Sequence, residues 1–135
     1  MKKHLEEINN YIEDMDLRTI LDYGSGKGKF HSRISAKVTP YDPAYEPFSK
    51  EPVEEFDGVI CTDVMEHIPE EEVEETLDKI FNFARYFVYF SISTKEAKKI
   101  LPNGENAHCT VKPKEWWEEE ITKHQTSQVV IIKFD

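Results

Sequence analysis

Leu21-Asp22-Tyr23-Gly24-Ser25-Gly26-Lys27-Gly28 is the stretch whose reading decides the fold. Thr19 to Tyr23 is short, apolar and β-favouring, and it stops at a glycine cluster, as a buried strand entering a tight turn does. Glycine allows close backbone approach to a ligand and tolerates left-handed conformations. Where such a turn opens a helix, free N–H groups face the ligand. The sequence predicts a short helix over residues 28–35, with Phe30 and Ile34 four apart. Three ligand classes use turns of this kind. A Walker phosphate loop needs its second glycine at the position held by Lys29. The dinucleotide fingerprint G-x-G-x-x-G/A wants Gly or Ala there, so Lys29 also argues against an oxidoreductase of that type. What stands here is the third pattern, an acid two residues before G-x-G-x-G. A carboxylate at Asp22 suits an ammonium group and repels a pyrophosphate.

Upstream, Leu5, Ile8, Ile12 and Met15 recur at helical spacing, which predicts an amphipathic helix over 3–15. Downstream, 37–41 reads as a weaker strand, placed at an edge by Pro40. Asp42 follows, 18 positions after Gly24, where a carboxylate can accept hydrogen bonds from both hydroxyls of a ribose. Residues 43–56 carry Pro43, Pro47 and Pro52 without periodicity and read as loop. Residues 57–62 form a buried strand ending in Asp63. If that strand lies beside the first, Asp63 opens onto the same crevice. Pro69 with Glu70, Glu71 and Glu72 starts a helix, whose buried stripe is Val73, Leu77, Ile80, Phe81 and Ala84. Tyr86 to Ser93 is a strand, Pro113 to about Lys123 a last helix, and Gln128 to Phe134 a closing strand of open direction. Strands alternating with helices predict a mostly parallel α/β sheet. No repeat or linker divides the 135 residues.

Composition narrows the partners. Lys plus Arg total 17 against 27 Asp plus Glu, a formal charge of −10, which repels nucleic acid and anionic lipid at long range. Cys61 and Cys109 make no C-x-x-C pair and no metal quartet with the histidines, so the expectation is two reduced thiols and no metal. No apolar run approaches a membrane span. Met1 to Glu7 enters a charged helix without a signal-peptide core, which predicts a cytoplasmic protein.

Asp57-Gly58-Val59-Ile60-Cys61-Thr62-Asp63-Val64-Met65-Glu66-His67-Ile68-Pro69 resembles the post-glycine motif of class I S-adenosylmethionine-dependent methyltransferases, whose usual text is close to F-D-x-V-x-x-x-D-V-x-E-H-I. With the glycine turn and Asp42, the likeness runs over 18–94 in the family's order. Residues 105–118 are similar to the substrate-side loop and helix of compact bacterial and phage members, some linked with surface-glycan modification. The resemblance implies a Rossmann-like fold with helices on both sheet faces and residues 1–135 as a single domain. It implies S-adenosyl-L-methionine as cofactor, held by Asp22, Gly24, Gly26, Asp42 and Asp63 with contacts from Tyr23 and Val64. Only 14 residues separate Asp42 from Asp57, too few for the helix and strand the family places there. The fold is therefore expected to be truncated by one crossover, with Tyr45, Pro47 or Phe48 walling the adenine. The short chain and missing crossover also keep open a non-catalytic S-adenosylmethionine-binding module, or a partner subunit of a larger methyltransferase.

Methyl transfer from a sulfonium is an in-line displacement governed by alignment, and a base is needed when the acceptor is a hydroxyl. His67 and His108 are the candidates, since imidazole titrates near neutrality. Trp116 and Trp117 point about 100° apart on a helix; one is expected in the core with Ile121, and for the other plain core packing is favoured over lining an acceptor site. The expected acceptor is a small-molecule or glycan hydroxyl.

Overall fold

The computed structural model describes residues 1–135. Five strands, β1 (Thr19–Tyr23), β2 (Lys37–Tyr41), β3 (Phe56–Thr62), β4 (Ala84–Ile92) and β5 (Val129–Phe134), form one sheet in the order β2-β1-β3-β4-β5. Every pairing is parallel. The direction of β5, open from sequence, is thereby settled.

Side chains alternate across the strands and build two cores. Helix α1 (Leu5–Met15) lays Leu5, Ile8 and Ile12 against Ile20, Ile60, Phe87 and Tyr89 on one face. On the other face, α2 (Glu70–Phe83) and α3 (Lys114–His124) pack Val73, Leu77, Ile80, Trp117 and Ile121 on Leu21, Val59, Cys61, Val88 and Phe90. Both faces of a parallel sheet need such cover, and that is why its strands read as near-continuous apolar runs. The missing crossover is confirmed: β2 is an edge strand, and only a 3-10 turn at Glu46–Phe48 interrupts the chain between β2 and β3. Pro40 sits in that edge strand opposite Asp22, where one side of the backbone needs no ladder donor.

One expected element is absent. Residues 28–35 do not form an α-helix; a 3-10 turn at His31–Arg33 stands in its place. The segment starts from Gly28 at φ 71, outside helical geometry, and at its far end Asn9 of α1 donates from Nδ2 to the Arg33 carbonyl (2.9 Å) and accepts from the Ser35 N–H (2.8 Å). A side chain from a distant helix thus fastens the end of this segment in its non-helical course. Pro69 and Pro113 precede α2 and α3 as N-caps rather than occupying the first turn.

The α1 face carries a polar clasp as well. The Tyr89 hydroxyl donates to Glu7 (2.6 Å), and Lys133 pairs with the same carboxylate (2.9 Å). The Tyr89 bond leads in holding the Glu7 carboxyl below its ordinary value of 4.5. Its stabilisation is therefore complete above that value and is lost as pH falls through the depressed folded value. In Tyr89→Phe the drop in melting temperature between neutral pH and about pH 3 should be smaller than in the parent. An unchanged acid arm in a calorimetric pH series would remove this bond from the acid response.

Candidate active site

The strand order reverses direction of progress between β1 and β3, and at that switch point the carboxyl ends of parallel strands leave a crevice. Gly24 to Gly28 close β1, Asp42 follows β2, and Asp63 follows β3. The three acids expected to share a cleft stand at three adjacent strand ends but divide between two clefts, Asp22 in one and Asp42 and Asp63 in the other.

The glycine turn is fastened to β2. The Gly24 and Ser25 N–H groups both donate to the Tyr41 carbonyl (2.8 and 3.1 Å), and the Gly26 N–H donates to Asp42 Oδ2 (2.8 Å). The other Asp42 oxygen accepts from the Ala44 N–H (2.9 Å). Asp42 thus braces the turn, while each carboxylate oxygen keeps a second lone pair. Gly24 has φ 79, and a Cβ built on it would stand 2.3 Å from Val64 Cγ2. That close approach is what the glycine is for.

No α-helix opens at the end of the glycine turn, so the turn brings no helix terminus to the crevice. What faces it is a carboxylate. Asp22 is 3% exposed and accepts from His31 Nε2 at 2.7 Å. The sequence reading did not single out His31, and nothing local marks it, since the pairing crosses the whole glycine turn. Asp22, the turn, Phe30, His31 and Thr62 line a cleft of ≈ 230 Å³ on the α1 side.

A larger cleft of ≈ 610 Å³ opens on the α2 side and shares Gly24 with the first. Tyr23, Tyr41, Asp42, Asp63, Val64 and His67 line it, and Thr76 and Lys79 of α2 form its outer wall. The Tyr23 and Tyr41 rings meet edge-on at 5.3 Å. Pro43 and Ala44 complete the rim. Tyr45, Pro47 and Phe48 are not part of it, because Tyr45 and Phe48 pack on each other (5.1 Å). Sequence offered no basis for naming α2 as the wall.

Asp63 holds a left-handed backbone, φ 58, a conformation costing a non-glycine residue about 1 kcal/mol or more. Its N–H donates to the Ser91 carbonyl (3.0 Å), and the Ser91 hydroxyl donates to Asp63 Oδ1 (3.2 Å). Buried Ser91, at the end of β4, is a second residue that sequence reasoning missed.

Beyond Asp63, Glu66 is 2% exposed, and burial pushes its carboxyl above the ordinary 4.5. His67 and His108 are brought together, ring centres 4.8 Å apart and edge to face. Three bonds hold the loop that carries His108 against the 66–68 segment. His67 Nδ1 pairs with the Ala107 carbonyl (3.0 Å), the Thr110 N–H donates to the Glu66 carbonyl (3.1 Å), and the Thr110 hydroxyl donates to the Ile68 carbonyl (2.6 Å). Trp117 is fully buried beside Ile121, as expected of one of the pair. Trp116 lines neither the ≈ 610 Å³ cleft nor the smaller one; it packs on the core edge beneath the Lys112 ammonium (5.5 Å). Cys61 is buried with its thiol pushed up by desolvation, and Cys109 is exposed; both are free.

A parallel sheet of this order, with a glycine turn and an acid on the neighbouring strand end, is the frame of nucleotide-binding α/β folds, the class I S-adenosylmethionine-dependent methyltransferases among them. A sequence model described as a methyltransferase domain matches residues 3–124, and the chain belongs to that family. Its cofactor is S-adenosylmethionine. The fold is similar to that of a SAM-dependent methyltransferase from Archaeoglobus fulgidus, at 16% identity and a TM-score of 0.55, over 88% of this chain and 67% of that one. No curated protein matches the sequence. None of the helices is long and apolar enough to cross a membrane.

Proposed function

We propose that residues 1–135 work as one cytoplasmic methyltransferase domain that binds S-adenosylmethionine across Gly24 and methylates a hydroxyl of a small molecule or glycan. The observation that carries this reading is the pair of clefts meeting at Gly24. The cofactor's ammonium group takes the smaller cleft beside the Asp22 carboxylate. Its ribose faces Asp42, and its adenine enters the larger cleft against Tyr23, Val64 and Asp63. Gly26, whose N–H is held by Asp42, lets the backbone lie flat under the ligand. His31 shares Asp22 with the incoming ammonium, which places it as a positioning residue for that end.

In the reaction the acceptor oxygen attacks the methyl carbon, the carbon–sulfur bond breaks, and its electron pair turns the sulfonium into a thioether. The acceptor's proton passes to His67, which lines the larger cleft, or to His108, whose ring packs on it. The formal charge of −10 supports an uncharged acceptor over a polynucleotide.

Calorimetric titration with S-adenosylmethionine tests the first half; failure to bind ends the proposal. A screen of sugars and small alcohols with labelled cofactor tests the second. His108→Ala should keep cofactor affinity while lowering turnover by about 10²–10⁴-fold, the range for a lost proton-transfer group. Unchanged turnover would take His108 out of the reaction.

A further inference from the structure

Glu66, His67 and His108 each offer a donor atom, and these atoms all lie within 4.8 Å of one another. Tetrahedral and octahedral divalent ions bind imidazole nitrogen and carboxylate oxygen at about 2.0–2.2 Å. A cation at the centre of this trio would need each donor to move inward by less than about 1 Å by that standard.

The trio has the features of a built site. Each imidazole uses Nδ1 toward a backbone carbonyl, His67 to Ala107 (3.0 Å) and His108 to Lys95. This fixes the tautomer and leaves Nε2 as a free acceptor, the arrangement that orients histidine ligands on metals. Glu66 is 2% exposed, and its Oε1 has no hydrogen-bond partner. An unpaired buried carboxylate oxygen is costly, and a cation would satisfy it. The loop is organised to deliver His108: Asn106 Oδ1 accepts from the Ala97 and His108 N–H groups, and its Nδ2 donates to the Ala97 carbonyl.

We propose that Glu66, His67 and His108 form a binding site for a divalent first-row transition cation, between the ≈ 610 Å³ cleft that His67 lines and a second cleft of ≈ 580 Å³ that His108 lines. Two imidazoles and one carboxylate favour zinc, manganese, iron or cobalt over magnesium and calcium, which prefer all-oxygen shells. Three protein ligands leave coordination positions open for an oxygen of the acceptor. This purpose rests on the hydroxyl-acceptor reading; the site itself does not. With the cation in place the imidazoles are ligands. A cation there would make a coordinated acceptor hydroxyl more acidic, and the proton would then go to solvent in place of the two imidazoles.

The test is titration of the chelator-stripped, tag-free chain with Zn²⁺ and Co²⁺, followed by calorimetry and by cobalt absorption, in the absence of any acceptor. One equivalent should bind, with a cobalt spectrum of nitrogen-containing coordination, and excess Mg²⁺ should not displace it. His108→Ala and Glu66→Gln should each weaken binding by at least about 100-fold, beyond the loss usual for supporting residues, with the melting transition confirming a folded chain. His108→Ala removes no negative charge, so diffuse binding to surface carboxylates would leave its affinity untouched; that result, or displacement by Mg²⁺, overturns the site. S-adenosylmethionine affinity is measured in parallel. Loss of cofactor binding alone would sink the methyltransferase geometry and leave the cation site standing; loss of cation binding alone would do the reverse.

Discussion

Gly24→Ala should abolish measurable S-adenosylmethionine binding while the sheet still forms. The added methyl meets Val64 Cγ2 at 2.3 Å, and the residue must also hold φ 79. A left-handed alanine costs about 1–2 kcal/mol, and relieving the overlap requires Val64 or the turn to move. Either displacement disturbs the point where the two clefts meet, so we expect more than about 100-fold loss of affinity, equivalent to about 2.7 kcal/mol or more. Gly26→Ala is the informative companion. Gly26 has φ 55, yet nothing lies within 4 Å of its would-be Cβ. Its effect on the empty protein should be confined to backbone strain, and any further loss of cofactor affinity reports a ligand lying over that position. Calorimetry of both variants, with melting temperatures, checks the pair. A Gly24→Ala protein that binds the cofactor normally would place the ligand elsewhere.

Asp42→Ala should weaken cofactor binding by about 1–3 kcal/mol, the usual range for charged hydrogen bonds. The structure adds a second effect. Asp42 also accepts from the N–H groups of Gly26 and Ala44, so its removal loosens the turn as well as the ribose contact. Asp42→Asn separates the two, since an amide oxygen still accepts one of these bonds but carries no charge. Its affinity should fall between parent and alanine variant. An affinity equal to the parent in both would exclude Asp42 from the cofactor's surroundings.

How far sequence reached follows from the range of the interactions. The glycine turn, the strands around it and the spacing to Asp42 were legible because each is a local pattern. The placement of Asp63 beside them needed only the order of strands. The expected helix at 28–35 fails at its left-handed first residue, Gly28, and the course the segment takes instead is fastened by Asn9 of α1, which no window over 28–35 contains. The His31–Asp22 pair, the Ser91 support of Asp63 and the approach of His108 to His67 were hidden for the same reason. His67 meets Ala107 across 40 residues, so the trio with Glu66 exists only once the loop has folded back. The expectation of no metal came from counting spacings along the chain, and the proposed cation site is a product of tertiary contact.

Helix α2 ends at Phe83 and β4 begins at Ala84, so the rod that walls one side of the larger cleft is welded to a central plank of the sheet. No slack residue separates them, and a hinge needs residues free to change backbone angles. Nucleoside entry and exit should therefore be served by the stretches after β2 and after β4, with α2 behaving as a fixed doorpost.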